Sequence, residues 1–299
     1  MSNIKKFLWL LLISAVVINF TSCKNVEPKN NKDQTKALAD TSDPNVKYYA
    51  SVVFLLPSPG EILERFYNAD IPYNPELLND PDNKDKYIGS KAQALNLGVY
   101  ITDMAYSALF ERSSETVKYL ESIQSLSTDV GISSTIFESL LTRSKSNAGK
   151  IDSLVSISNE AFANMLEFLE TGGREITVAQ LSAGAYVECL HIALGSIEEY
   201  SEDNKALQLL TDMKYPMENL LDKAKSSASA EENSIIINYL NQISLIFNEL
   251  ETRASKTVVT QNKKGSITVG GGSESKITKD DFNKMKSQVG KIRKSIVSF

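Results

Sequence analysis

The sequence predicts an all-α fold, either a multi-helix bundle or an array of helical hairpins, with one small β-hairpin near the C-terminus. From about residue 87 almost to the end, apolar residues recur every three or four positions, which is the spacing of an α-helix. The segments 87–111 and 176–200 are apolar nearly all round, as is typical of central helices. Only residues 257–270, which are rich in β-branched residues, interrupt this pattern.

The first predicted helix begins with a capping box. Ser58 suits the position before the helix, Pro59 suits its first turn, and Glu61 lies three residues after Ser58. Residues 48–56 are apolar and β-branched, and they form either a short strand or the end of another helix. Residues 70–86 contain three prolines among several Asn and Asp residues, so we expect a loop there.

Apolar spacing marks the remaining helices. Ser133 or Ser134 is expected to cap a short helix, Gly172 and Gly173 to end a long one, and Pro216 to kink or split another. The predicted ranges are 87–111, about 117–130, about 136–141, about 151–169, 176–200, 204–225, about 236–250 and 279–298.

The interruption at 257–270 predicts the β-hairpin. Thr257–Gln261 and Ser266–Val269 have the composition of strands, and Gly265 suits a left-handed turn position between them. Because a lone hairpin is only marginally stable in water, we expect it to pack on the helices or to pair with residues 50–55.

A short motif occurs in both of the most apolar segments. The pattern L-x-x-G-x-Y-[IV] covers Leu95–Ile101 and again Leu181–Val187. Glycine inside a helix costs about 1 kcal/mol relative to alanine, so glycines at these places indicate a close approach of two backbones. We therefore expect the two helices to touch. The repetition is either a coincidence between two buried helices or the trace of a duplicated helical hairpin.

Residues 1–22 predict a signal peptide. Two lysines form a basic start, and residues 7–20 are almost all apolar, a run too short to span a bilayer, which takes about 20 residues. The following Thr-Ser-Cys23 resembles the lipobox of bacterial lipoproteins, in which the cysteine becomes the first residue and carries acyl chains such as palmitate. Phe20 departs from the usual leucine of that box. The alternative is a plain signal peptide with a chance cysteine.

These features predict attachment to a membrane through lipid. Residues 23–46 are mostly polar and are expected to be a flexible tether, followed by a single helical domain over 47–299. Lys24 follows the cysteine, which by resemblance to lipoprotein sorting favours the outer membrane of a diderm bacterium. Acylation of Cys23 would leave Cys189 without a disulfide partner in the chain.

The charge of the chain restricts its partners. The formal net charge is −5, and it becomes more negative without residues 1–22, which contain two lysines and no acidic residue. Nucleic-acid binding normally needs a basic surface, and no long basic run is present, so nucleic acid is excluded as a partner. The basic residues within 291–294 are interpreted as solvated surface. The expected partners are the membrane, through the lipid anchor, and other envelope proteins.

A single histidine, His191, limits the possible chemistry. Ferritin-like di-iron sites need two Glu-x-x-His motifs, and zinc sites rich in histidine are equally excluded. Cys189 lies two positions away on the helix and points to another side, so the two cannot form a catalytic pair. No nucleophile elbow, P-loop or dinucleotide motif is present. We expect no metal and no cofactor.

Four residues are candidates for ligand binding, namely Tyr100, Asp103, Glu188 and His191. Asp103 lies in an apolar helix, where a carboxylate must be paired or hydrogen-bonded, so it either binds a ligand or anchors an arginine. Glu188 and His191 are three residues apart and face one another, either as a proton-active pair lining a pocket or as a satisfied polar contact. The arginines considered as anchors are Arg112, Arg143 and Arg174.

One family resemblance rests on four stretches: Pro57–Pro59 before a helix, Ala94–Tyr106, Glu188 after a Gly-Ala-Tyr sequence, and Ile292–Arg293 in the last helix. Together they resemble a group of uncharacterised helical lipoproteins of Bacteroidota. The resemblance covers most of the chain after the signal peptide. It implies an envelope location and brings no known activity.

The function expected from these observations is that of a lipid-anchored cell-envelope protein that acts as a non-catalytic interaction or scaffold component. The alternative is a small-molecule-binding lipoprotein with a pocket between helices 87–111 and 176–200. A third interpretation, an enzyme of unrecognised type, would need an exposed cleft that contains Asp103, Glu188 or His191.

Overall fold

The computed structural model describes residues 57–146, 150–226, 232–254, 258–261, 267–270 and 273–298. All of them belong to one compact unit, which covers residues 51–299. The predicted signal peptide, Cys23, the predicted tether and the segment 48–56 lie outside the described residues.

Helices make up most of the described residues, which confirms the all-α prediction. The predicted loop at 70–86 contains two short 3₁₀ helices, Pro75–Leu77 and Pro81–Lys86. The α-helices of the described part are α1 (Pro59–Tyr67), α2 (Ser90–Leu109), α3 (Ser113–Asp129), α4 (Thr135–Ser146), α5 (Ile151–Thr171), α6 (Glu175–Ser196), α7 (Lys205–Asp212), α8 (Lys214–Ser226), α9 (Ser234–Glu249) and α10 (Lys279–Val297).

Short strands occur only between α9 and α10 in the described part of the chain. They form two antiparallel pairs, one with Glu251 opposite Lys276 and the other with Val258 opposite Gly270. The strands are β1 (Glu251–Ala254), β2 (Val258–Gln261), β3 (Ile267–Gly270) and β4 (Ser273–Lys276). Residues 262–266, where the turn of the predicted hairpin would lie, are outside the described residues, so the hairpin at 257–270 stays a prediction.

Local sequence signals explain where several helices begin. The capping box of α1 is confirmed, because Ser58 Oγ accepts the Glu61 amide at 3.2 Å and Glu61 Oε2 accepts the Ser58 amide at 2.8 Å. The predicted helix at 204–225 is split into α7 and α8 at Met213. Pro216 lies in the first turn of α8, where its missing amide hydrogen removes no helical hydrogen bond.

Three helices end with the same arrangement, in which a left-handed residue lets the chain fold back. Gly173 after α5 has a φ of 68° and Gly131 after α3 has a φ of 74°. After α5 the amide of Arg174 donates to the carbonyl of Leu169, in the last turn of the helix, at 2.8 Å. At the end of α2 the same conformation is adopted by Glu111, with a φ of 59°, although side chains disfavour it.

Helices α2 and α6 contact each other closely, as the repeated motif predicts. A Cβ atom on Gly98 would lie closer than 3.0 Å to the carbonyl oxygen of Leu181, and one on Gly184 would lie equally close to that of Leu95. Residues later in α2 contact residues later in α6, since Leu95 lies at Gly184 and Asp103 lies near Glu188. The two helices therefore run parallel. This reciprocal arrangement is what a duplicated unit requires, and the duplication itself stays a prediction.

The α2–α6 pair separates two apolar cores, which explains why both helices are apolar nearly all round. On one side, Leu95 and Tyr106 of α2 pack with residues of α1 and α7–α10. On the other side, Leu97 and Met104 of the same helix pack with residues of α3, α4 and α5. Burial of both faces places any polar side chain of α2 or α6 inside the protein, where it needs a partner.

None of the helices in the described part of the chain combines the length and the apolar character that crossing a membrane requires.

Candidate functional site

The two central helices bring two carboxyl groups together in the interior. Asp103 of α2 and Glu188 of α6 both have 0% of their surface exposed. Arg293 of α10 binds Glu188 through two hydrogen bonds of 3.0 Å, from Nε to Oε2 and from Nη2 to Oε1. Such two-point pairing is the strongest geometry for an arginine and a carboxylate. We call Asp103, Glu188 and Arg293 the polar centre.

The environment of the polar centre favours a proton on Asp103. Burial and the neighbouring Glu188 carboxylate raise the pKa of Asp103 well above its usual value, and Arg293 and the Asn79 amide only partly oppose this. The Glu188 carboxylate acts on Asp103 at short range, and two ionised carboxylates buried together would repel each other. With Asp103 neutral, the charges of Glu188 and Arg293 cancel, so the polar centre carries no net charge.

The polar centre holds the loop that connects α1 to α2. The backbone amide of Asn79 donates to Asp103 Oδ2 at 3.1 Å, and the Asn79 side chain donates to the Tyr87 hydroxyl at 2.8 Å. The Tyr119 hydroxyl of α3 donates to the Asn79 carbonyl at 2.9 Å. The backbone of Asn79 is therefore fixed on both its donor and its acceptor side.

Tyr100 takes part in the same attachment of the loop. Its hydroxyl donates to the backbone carbonyl of Asp80 at 2.8 Å, and its ring lies beside Tyr87 and Tyr119. Burial is the main reason that the pKa of Tyr100 is raised far above its usual value. The hydroxyl is therefore a permanent hydrogen-bond donor and has no role as a base.

His191 lies at the edge of the polar centre. It is half-buried and lies near the main chain of Leu77, whose carbonyl accepts from Arg293 Nη2 at 3.1 Å. Burial lowers the pKa of His191 below its usual value, and the Glu188 carboxylate only partly opposes this shift. The imidazole is therefore neutral at pH 7, and like its neighbours it holds the loop.

All four candidate residues from the sequence thus gather around one place, but that place is closed. Tyr100, Asp103 and Glu188 are fully buried. Three surface cavities are formed by other residues of the described part, and none of the four candidates lines them. The arrangement can share a proton between two carboxyl groups and can fix a loop, but it gives no substrate access to either carboxyl group.

The structure corrects the predicted partner of Asp103. None of Arg112, Arg143 and Arg174 reaches it, and Arg293, interpreted from the sequence as solvated surface, is the cation of the polar centre, with only 16% of its side chain exposed. One signal in the sequence points to Arg293: it follows Met285 and Val289 at intervals of four, which places it in line with the apolar stripe of α10.

The predicted pocket between the two central helices is not where the structure has open space. The backbone contact of Gly98 with Leu181 and of Gly184 with Leu95 fills the crossing of α2 and α6. Among the described residues, no group of three or more His, Cys, Asp and Glu side chains is arranged to hold a metal ion.

Comparison of the chain with protein-family models, with curated proteins and with solved structures finds no match. The functional argument therefore rests on the residues themselves.

Proposed function

We propose that this protein is a lipid-anchored component of a bacterial cell envelope that works by binding other envelope molecules and not by catalysis. The observation that carries the proposal is the sequence Thr21-Ser22-Cys23 directly after a short apolar run. A cysteine at that point, preceded by small residues and a basic start, resembles the cysteine that is acylated in bacterial lipoproteins. Two or more acyl chains on one residue suffice for stable anchoring.

The helical body supports the non-catalytic part of the proposal. Asp103 and Glu188 form the carboxyl pair of the polar centre, and both are fully buried. Asp103 accepts a hydrogen bond from the Asn79 amide, and Glu188 accepts from Arg293. Their contacts attach the loop 70–86 to three helices. They therefore support a rigid surface, as a binding component needs.

The anchor is tested by metabolic labelling of the full chain in a diderm bacterium grown with an alkyne analogue of palmitate. We expect the wild-type protein to be labelled, with the acyl groups on a mature N-terminal cysteine in peptide mass spectra. Cys23→Ser should abolish labelling. Cys189→Ser is the matched control, because Cys189 is buried in the body and its loss should leave labelling intact. Equal labelling of the wild type and Cys23→Ser would refute the anchor.

The outer-membrane location is tested separately by density-gradient separation of the two membranes. The wild-type protein is expected with the outer membrane, and Lys24→Asp is expected to shift it towards the inner membrane. A wild-type protein that stays in the inner membrane would contradict the location while leaving the anchor in place.

The alternative function, small-molecule binding, needs a cavity other than the one predicted between α2 and α6. A groove at the ends of α3 and α5 has the size and the lining that a small-molecule ligand needs.

A further inference from the structure

A groove of about 650 Å³ lies where the C-terminal ends of α3 and α5 meet the start of α6. Its lining includes Gly131, Ile136, Asn164, Phe168 and Arg174. Its volume is within the range of known small-molecule sites. The polar centre lies elsewhere, so the groove is a separate feature of the surface. We call it the Arg174 groove.

The lining of the Arg174 groove includes two large apolar side chains, Phe168 and Ile136. Phe168 has 38% of its surface exposed, which makes it one of the few large apolar side chains on the surface of the described residues. Ile136 is half-buried. A ligand with an apolar chain would cover both side chains and remove their apolar surface from water.

The lining of the groove also offers a positive charge, from Arg174. Arg174 is half-buried, its Nη2 lies 3.5 Å from Thr177 Oγ1, and it forms no ion pair with any described residue. By contrast, Arg65, Arg143 and Arg293 each bind a carboxylate. A guanidinium carries five N–H donors, so Arg174 has the capacity to bind an incoming carboxylate at two points.

We propose that the Arg174 groove binds a small amphipathic anion, with its apolar chain between Ile136 and Phe168 and its carboxylate on Arg174. The ligand is expected to be an anion because Arg174 is positively charged. It is expected to have an apolar chain because Ile136 and Phe168 are apolar. Glu167 also lines the groove and is exposed, so its carboxylate opposes an anion. Repulsion between Glu167 and the ligand carboxylate lowers the affinity, so removal of the Glu167 charge is a second test of the site.

A structural role for Arg174 is the competing explanation. The ends of α3 and α5 carry partial negative charge, and a cation near them stabilises the helices. Such a role would lower the stability of a variant without involving any ligand. Binding and stability must therefore be measured separately.

The probe is decanoate, titrated by calorimetry into residues 24–299. This chain keeps the whole compact unit 51–299, in which both apolar cores lie, and it needs no detergent. We expect one saturable site with a dissociation constant of about a millimolar or lower, given the usual affinity per atom of small ligands. Decylammonium, which has the same chain with the opposite charge, should bind at least about tenfold more weakly.

Three variants and one control variant locate the site. Arg174→Gln should weaken decanoate binding about tenfold, because a charge-assisted hydrogen-bond pair is lost, while Arg174→Lys should keep part of the affinity. Arg112→Gln is the matched control, because Arg112 also precedes a helix but lies over the Tyr73 ring. Glu167→Gln should tighten binding. Thermal unfolding of each variant shows whether it is folded.

A fluorescent reporter tests the position of the apolar chain. The single tryptophan, Trp9, is absent from residues 24–299, so Phe168→Trp introduces one reporter in the groove. Its emission should change with decanoate and saturate as the calorimetry does. Tyr215→Trp, at an exposed position on α8, should not respond. The proposal is overturned if decanoate does not saturate, if Arg174→Gln and Arg112→Gln bind equally well, or if decylammonium binds as tightly as decanoate.

Discussion

Gly98 and Gly184 each lie against the carbonyl group three residues before the other, Gly98 on Leu181 and Gly184 on Leu95. The same reciprocity continues along both helices, where Asp103 lies beside Glu188 and Thr102 beside Cys189. The repeated motif therefore builds one crossing from two equivalent halves. The two equivalent contacts that follow the glycines differ in chemistry: one is the carboxyl pair Asp103–Glu188, and the other is the contact of Thr102 with Cys189.

Alanine at either crossing glycine should destabilise the protein. In Gly98→Ala or Gly184→Ala the new methyl group meets backbone atoms of the facing helix, which cannot move without separating α2 and α6. We expect the free energy of unfolding in urea to fall by about 3 kcal/mol, the upper end for overpacking. Gly290→Ala is the matched control, because nothing lies within 4 Å of its added Cβ and alanine favours the helix by about 1 kcal/mol. Equal effects at Gly98 and Gly290 would show that α2 and α6 do not touch.

Asp103→Asn should change how stability depends on pH. The folded pKa of Asp103 is raised, so the proton on Asp103 stabilises the folded state fully below the unfolded pKa of about 3.9, and this contribution is lost as the pH rises through the folded pKa. Asparagine copies the protonated form and does not titrate. Relative to Asp103→Asn, the wild type should lose about 1.4 kcal/mol per pH unit in that window.

The measurement for Asp103 is chemical unfolding at a series of pH values from about 4 upwards, where the unfolded carboxyl group begins to ionise. Asp82→Asn, at an exposed position in the loop, is the control and should leave the pH dependence of the wild type unchanged. A constant difference between wild type and Asp103→Asn at every pH would mean that Asp103 is ionised in the folded protein.

Removal of either partner of the buried ion pair should be costly, and removal of both should cost less than the sum. Arg293→Met leaves the Glu188 carboxylate buried without a counter-charge, which typically costs about 3–5 kcal/mol. The double variant Glu188→Gln with Arg293→Met contains no unpaired charge. A double-mutant cycle should give a coupling energy of about 1–3 kcal/mol. Lys294→Met, at an exposed neighbouring position, should be near neutral, and strict additivity in the cycle would argue against the pair.

Glycine in place of Glu111 should stabilise the end of α2. Glu111 adopts a φ of 59°, a conformation that side chains disfavour and glycine adopts readily. We expect Glu111→Gly to raise the free energy of unfolding by roughly 0.5–1 kcal/mol. Gly173→Ala is the converse test at a φ of 68°, with no atom within 4 Å, and should lower it by a similar amount. Both values come from thermal or urea unfolding, and a loss of stability in Glu111→Gly would show that the glutamate side chain makes a contact that outweighs its backbone strain.

Much of the helical architecture follows from local sequence signals. The capping box at Ser58, the glycine at 173 and the proline at 216 each act within one turn of their own position. They therefore mark the start of α1, the end of α5 and the start of α8 without tertiary information. The contact between α2 and α6 is also predictable, because glycines inside apolar helices imply close backbones.

The partners in the polar centre are harder to predict. Arg293 and Glu188 are 105 residues apart, and the lysines beside Arg293 give its segment the composition of a surface. Asn79 lies in a loop, where a backbone amide bonded to a buried carboxylate leaves no trace in the side-chain pattern. The pocket predicted between α2 and α6 meets a packed backbone contact at Gly98 and Gly184, because apolar residues alone do not distinguish a cavity from a packed contact.

The position of Arg293 in the chain has a consequence for the order of assembly. It reaches back to Glu188 across 105 residues and to Leu77 across 216, so the centre of the molecule is completed by the last described helix to emerge during synthesis. Until α10 docks, Glu188 has no counter-charge, and burying it would be strongly unfavourable. We expect a chain that stops at residue 278 to stay loosely packed. Under the lipid-anchored location proposed above, the chain is carried across a membrane, and late docking of α10 keeps the polypeptide unfolded enough for transport until its final segment has been made.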